Sequence, residues 1–293
     1  MESSILTILF LPLALSIIML GMGLTLTIGD FRRVLFTPRL VAGGLGLQFI
    51  GLPLLALGIA AVARLDAELA VGLMVVAACP IGTVSNLIVD LSEGDGALSI
   101  VLTALTSFIS VLTIPLLVNE ASSRFFGQSQ VISLPMLKTV LQIFFIVILP
   151  VVIGMIVKGY WPELSARCLK PIKSVSFVIF GGLVVGVIVK EWNHLANFIV
   201  QAGLACVALN LGSLVLSLGV ARAIGAGIPS CRTLMIAGNS RNGTLGITIA
   251  SAPTLLNNPT IAIPSAVYSL SMFVSGAALA AWFMLQNRRR AEA

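Results

Sequence analysis

"AVGLMVVAACPIGTVSNLIVDL", residues 70–91, is apolar along most of its length, yet its middle collects groups that interrupt a helix. Pro80 has no backbone N–H, and its ring clashes with the turn before it. Gly82 loosens the backbone two residues on, and Thr83, Ser85 and Asn86 follow. The stretch therefore reads as two half-helices joined by a polar break. A second stretch, "TLMIAGNSRNGTLGITIASAPTL" (233–255), has the same character around "AGNSRNGTLG" (237–246). Here Arg241 stands between Ser240 and Asn242 in a region otherwise free of charge. A charge at the centre of a membrane helix costs about 2.5–3.5 kcal/mol on insertion scales. Something in the structure has to offset that cost.

The surrounding chain is that of a membrane protein. It is 58% hydrophobic and 10% charged, with mean hydropathy +1.10, where a soluble domain carries about 25% charged residues. A span takes about 20 apolar residues as helix, and nine stretches meet that length: about 4–28, 40–62, 68–92, 97–118, 134–158, 171–190, 197–221, 231–256 and 259–286. Backbone groups in lipid must be satisfied internally, which leaves helices or closed barrels. Long unbroken apolar runs exclude the alternating barrel pattern. The expected fold is an all-α integral membrane protein, one membrane domain over 1–293 with no soluble domain appended. The four cysteines are scattered without a C-x-x-C pair, so neither a disulfide framework nor a zinc site is indicated. "MESSILTILFLPLALSIIMLG" lacks a basic start and has too long an apolar run for a cleavable signal.

The net charge of +6 reads as loop charge that sets topology rather than as a nucleic-acid footprint. If the end with Arg288, Arg289 and Arg290 is cytoplasmic, so are Arg32, Arg33, Arg39, Lys158, Arg167, Lys170, Lys173, Arg222 and Arg232. Arg64, Arg124, Lys138 and Lys190 fall on the other side. Twelve against four is a positive-inside signal, and nine spans then put the N-terminus outside. The expected location is the cell membrane, the bacterial inner membrane in particular. The two interrupted spans run in opposite directions, because four spans separate them. That pattern suggests an inverted repeat, about 4–118 against about 134–286, with the fifth span left over. Interrupted helices at matching places in two halves point to a transporter's binding site.

A broken helix exposes N–H groups at the start of its second half and carbonyls at the end of its first. The former favour anions and the latter cations. Ser85, Asn86, Ser240 and Asn242 can complete an oxygen cage of the kind hard cations prefer. Ser99, Thr103 and Thr106 share one face of the next span, and Gln48 is a lone amide within "LGLQFIGLP". The plainer reading is that such side chains bond to their own backbone or to a neighbouring helix. Asp90 lies near a span end and reads as solvated; pairing with Arg241 or carrying a proton are the alternatives. Asn242-Gly-Thr matches a glycosylation sequon by chance within a span, and "SEGDG" is too short for a metal loop. His194, the one histidine, falls in a loop.

"GMGLTLTIGDFRR", "QFIGLP" and "CPIGTVSNLIVDLSEGDGALSIVLTALTS" resemble the bile acid:sodium symporter (BASS) family over nearly the whole chain. The most specific part is C-P-x-G-T-x-S-N followed by A-L-S-x-x-x-T. The resemblance implies a core domain with two crossing discontinuous helices beside a panel domain. It implies a first sodium site at Ser85, Asn86, Ser99 and Thr103, and a second using Gln48 and the second broken helix. That helix typically reads E-x-G-x-Q-N-S-G. Here Ala237 stands at the glutamate and Arg241 at the glutamine, while Asn242 is kept.

These readings converge on a secondary transporter of a small organic anion, working by alternating access in the lipid bilayer. Arg241, Asn242, Ser240 and Thr83 are the candidate substrate residues. Sodium is the candidate coupling ion at Ser85, Asn86, Ser99, Thr103 and Gln48, with Arg241 a tethered cation in place of a second sodium. Proton coupling or uncoupled export is the alternative. No enzyme is expected, since the sequence has no D-x-x-D, no H-E-x-x-H and no Ser-His pair within reach. No resident cofactor and no nucleic-acid partner are expected, and a monomer is the expected state. Met272 and Phe273 in "YSLSMFVSG" are apolar, so a large bile acid is not specifically indicated.

Overall fold

The computed structural model describes residues 5–32, 37–127, 134–190 and 195–292. Arg33 and His194 lie outside them, as do the side chains of Arg32, Lys173, Lys190 and Arg288 to Arg290. All regular structure among the described residues is helical. Among the described residues, five helices are long and apolar enough to cross a membrane: Pro38–Val62, Gly96–Phe126, Met136–Tyr160, Ala202–Ala223 and Pro259–Asn287. The chain is a multi-pass membrane protein. Large apolar side chains such as Leu54, Leu137, Val215 and Val274 are exposed, as a lipid-facing surface requires.

In chain order the elements are α1 (Ile5–Gly23), α2 (Ile28–Arg32), α3 (Pro38–Gly46), α4 (Leu52–Val62), α5 (Ala67–Ala78), α6 (Val84–Leu91), α7 (Gly96–Phe126) and α8 (Met136–Ile143). They continue with α9 (Leu149–Tyr160), α10 (Pro162–Lys190), α11 (Leu195–Ala223), α12 (Ile228–Asn239), α13 (Gly243–Ser251) and α14 (Pro259–Glu292). Both interrupted stretches are broken as their sequences predict, α5 from α6 and α12 from α13. Two boundaries differ from expectation. The helix α10 begins at Pro162 rather than near 171, so Arg167 and Lys170 are helical rather than in a loop. The helix α7 runs on to Phe126, past the apolar stretch, because nothing between Val118 and Phe126 stops a helix and Gly127 then does, at φ +69.

Two π turns go unannounced by hydropathy. Leu47–Gly51 joins α3 to α4, and Phe144–Ile148 joins α8 to α9. Each has a proline two residues past its end, Pro53 or Pro150. A proline cannot donate to the carbonyl four residues back and pushes that carbonyl away, so the turn before it widens.

The helices α1, α9 and α10 pack together as one group. Gly23 makes this possible: a Cβ there would run into the Val151 carbonyl oxygen, and one on Gly154 would lie 2.6 Å from Leu20 O. Ser165 Oγ also donates to Leu24 O at 3.0 Å. A second group is centred on α5, which packs on α4, α7 and α14, and on α11, which packs on α12 and α14. The groups meet where α7 touches α8 and α10 touches α14.

Candidate functional site: two crossing helix breaks

The breaks are in direct contact. Asn242 N donates to Pro80 O at 2.9 Å. A Cβ on Gly82 would lie 2.8 Å from Arg241 O, so no side chain fits there. The end of α6 meets the start of α12, where Asp95 N donates to Thr233 Oγ1 at 2.7 Å. The start of α5 meets the end of α13, where Asn258 Nδ2 donates to Glu68 Oε1 at 2.7 Å. The two broken helices are thus antiparallel and touch at both ends and in the middle.

At the first break Cys79 turns extended, and the last carbonyls of α5 look for donors. Gln48 supplies them: its Nε2 donates to Cys79 O at 2.8 Å and Ala77 O at 3.3 Å. Gln48 reaches across because it sits in the π turn ahead of Pro53. Its other atom, Oε1, is buried without a hydrogen-bond partner. Gln48 faces a narrow crevice, too tight for a water molecule, together with Leu47, Ile81, Leu102, Ala237 and Gly238. Beyond the break, Asn86 Oδ1 accepts from Ser99 Oγ at 2.6 Å and from Thr103 Oγ1 at 3.4 Å. Asn86, Ser99 and Thr103 are therefore brought together. Ser85 is fully buried, but its hydroxyl donates to Gly82 O at 2.8 Å within its own turn. Thr106 accepts from Ile81 N and donates to Thr103 O, so it braces the break. Thr83 is half-buried at the start of α6 and makes no capping bond.

At the second break Ser240 is extended and α13 starts at Gly243, capped by Asn242 Oδ1 accepting from Leu245 N at 3.0 Å. Arg241 is 2% exposed. Its guanidinium folds back onto the end of α12. Nη1 donates to Ser240 O at 2.8 Å and Ala237 O at 3.4 Å, and Nη2 donates to Gly238 O at 2.6 Å. The remaining carbonyl, Asn239 O, accepts from Tyr268 Oη at 2.8 Å. Each carbonyl from Ala237 to Ser240 thus has a side-chain donor. This is what offsets the charge: a cation at a helix C-terminus, hydrogen-bonded to the carbonyls that carry the negative end of the dipole. Bonds to a charged group contribute about 1.5–3 kcal/mol each. Asp90 is exposed and makes no ion pair with Arg241; among the described residues the pair within 4.0 Å is Glu120 with Arg124.

Sequence reasoning misses a polar cluster beside this break. Asn239 Oδ1 accepts from Asn210 Nδ2 at 2.7 Å, and Asn239 Nδ2 donates to Ser275 Oγ at 3.0 Å. The cluster ties α12 to α11 and α14. The sequence signal is Asn239 itself, where the E-x-G-x-Q-N pattern has glycine. Arg232, expected as a loop charge, is buried. It donates to Ser92 O at 2.8 Å and Asn287 Oδ1 at 2.7 Å, and its guanidinium lies 5.0 Å from the Phe283 ring centroid. Its stem and head pack there because α12 starts beside the ends of α6 and α14.

Residues 12–198 match the model of the sodium bile acid symporter family. The chain belongs to that family. Its members are transporters, not enzymes. The match to the sodium bile acid symporter model takes in Gln48, the first break, Ser99 and Thr103, and stops before α12. Among relatives, the chain is 30% identical over 266 residues to the probable sodium/metabolite cotransporter BASS1, chloroplastic, of Arabidopsis thaliana, covering 91% of this chain and 64% of the relative. It is 30% identical over 285 residues to the uncharacterized sodium-dependent transporter YocS of Bacillus subtilis, covering 96% and 85%. It is 36% identical over 107 residues to the sodium/bile acid cotransporter 4 of Mus musculus, covering 36% and 24%. The chain spans 62–64% of the length of the chloroplast relatives it matches.

Proposed function

We propose that the chain is a secondary active transporter of a small organic anion, coupled to sodium and working by alternating access. The observation that carries this reading is the contact of two antiparallel helix breaks, with an oxygen cluster on one side and a fixed guanidinium on the other. The cluster of Asn86, Ser99 and Thr103, with Ser85 alongside, holds the sodium that is carried. The names of the relatives, sodium/metabolite cotransporter and sodium-dependent transporter, favour sodium over protons as the coupling ion. Arg241 takes the place of a second sodium at the carbonyls of Gly238 and Ser240. Its positive charge, together with the positive end of the α13 dipole near Ser240 and Asn242, favours a carboxylate or sulfonate at the crossing. Thr83 lies at the opposite break. The group α1, α9 and α10 serves as the panel against which the other helices rock, the first repeat being about 4–118 and the second about 134–286. The C-terminus is cytoplasmic and the N-terminus outside.

Uptake in proteoliposomes tests this. A panel of labelled carboxylates and sulfonates, pyruvate and taurocholate among them, is offered with an inward sodium gradient, a proton gradient or neither. Sodium-driven accumulation of one anion supports the reading. Accumulation driven only by protons, or facilitated flux without either, replaces it with the proton-coupled or uncoupled carrier.

A further inference from the structure

The oxygen cluster is gripped from outside itself. Asp95 ends the turn between α6 and α7, one helical turn before Ser99. Its Oδ1 accepts from Leu98 N at 3.0 Å, and its carbonyl accepts from Ser99 N at 3.1 Å. Both bonds set the first turn of α7, and so the direction from which the Ser99 hydroxyl meets Asn86. Asp95 also reaches across to α12. Its N–H donates to Thr233 Oγ1 at 2.7 Å, and its Oδ2 accepts from Ser230 Oγ at 3.3 Å. A Cβ on the preceding Gly94 would lie 2.8 Å from Thr233 Oγ1, so the turn can approach α12 only without a side chain there. The neighbouring Arg232 holds the end of α6 through Ser92 O. The first turns of α12 therefore hold both helices that supply the cluster, α6 with Asn86 and α7 with Ser99 and Thr103.

The opposite end of the core has a matching device that serves no ion cluster. Asn258 caps α14, its Oδ1 accepting from Thr260 N at 3.0 Å, and reaches Glu68 at the start of α5. In both places the residue capping the helix after a break also holds the first turn of the other broken helix. Only at Asp95 does the capped helix carry an oxygen of the cluster within its first turn.

We infer that Asp95 is a positioning residue for the coupling ion: through Ser99 it sets the geometry of the Asn86–Ser99–Thr103 cluster, and through Thr233 it ties that cluster to the helix that bears Arg241. The inference rests on the sodium reading proposed above. Partners behind the direct ligands of a metal ion change its affinity by about 10–100-fold when removed.

The experiment measures binding of radioactive sodium to the purified full chain in detergent, beside its melting temperature. Asp95→Ala raises the half-saturating sodium concentration about tenfold, and Asp95→Asn, which keeps an acceptor for Leu98 N, restores most of it. Thr233→Val, close in shape and less disruptive to folding, raises it in the same direction. Asn258→Ala lowers the melting temperature but leaves sodium affinity unchanged. Equal sodium shifts from Asp95→Ala and Asn258→Ala overturn the inference, as does sodium affinity unaltered by both Asp95→Ala and Thr233→Val. A wild-type chain that binds no sodium overturns the cluster as an ion site and this inference with it, which separates the two failures.

Discussion

Replacing Arg241 with Gln and Ala237 with Glu together should create a second sodium site. In the wild type Nη1 is 2.8 Å from Ser240 O and Nη2 is 2.6 Å from Gly238 O. A sodium ion sharing those oxygens would sit about 4 Å from the guanidinium charge and be repelled by about 4 kcal/mol at an effective dielectric of about 20. That is about a thousandfold in dissociation constant. The double variant removes the positive charge and adds a carboxylate at Ala237, which lines the same crevice as Gln48 with its unpartnered Oε1. Sodium titrated into the purified variant should bind at two ions per chain rather than one. At a hundred times the dissociation constant the new site adds about 2.7 kcal/mol to stability, or roughly 5–10 °C in melting temperature for a domain of this size. Two sodium ions of similar affinity in the wild type would refute the reasoning. So would a folded double variant with one.

Asn86→Ala removes the oxygen that accepts from Ser99 and Thr103, and sodium half-saturation in uptake should rise by about tenfold or more; an unaltered value would move the ion elsewhere. Gly23→Ala forces α1 away from the Val151 carbonyl of α9 and should lower stability by about 1–3 kcal/mol, read as a melting shift that spares sodium affinity. Pro53→Ala removes the reason for the π turn. An ordinary helix there turns Gln48 by about 100° relative to α5, so uptake should fall while helix content by circular dichroism stays constant.

The breaks were legible because proline and glycine act on their own backbone. Pro80 and Gly82 announce the first break whatever surrounds them, and the glycines near Arg241 announce the second. The lone cation was legible too, since a charge stands out in an apolar run. Its target was not. Where the guanidinium goes depends on how the chain leaves α12 at Ser240, which no local pattern states. Asn239, Asn210, Tyr268 and Ser275 were passed over for a different reason. Each is an isolated polar residue on its own helix, and their meeting is a product of how α11, α12 and α14 pack. Gln48 was visible as an amide in an apolar helix, and Pro53 five residues later held the clue to its reach. The latch at Asp95 was hidden in "SEGDG", whose short length argued only against a metal loop.

A guanidinium bonded to the carbonyls of its own helix cannot be released to either side of the membrane, and this bears on how far the carrier can drive accumulation. One sodium moving with one monovalent anion transfers no net charge, so the membrane potential drops out of the balance. The anion gradient is then limited to the sodium gradient itself. A carrier moving two sodium ions would gain a further sodium gradient and about 2.3 kcal/mol for each 100 mV of potential. Under the one-sodium cycle proposed above, the arginine would trade pumping power for a transport cycle that runs at the same thermodynamic limit in polarised and depolarised cells.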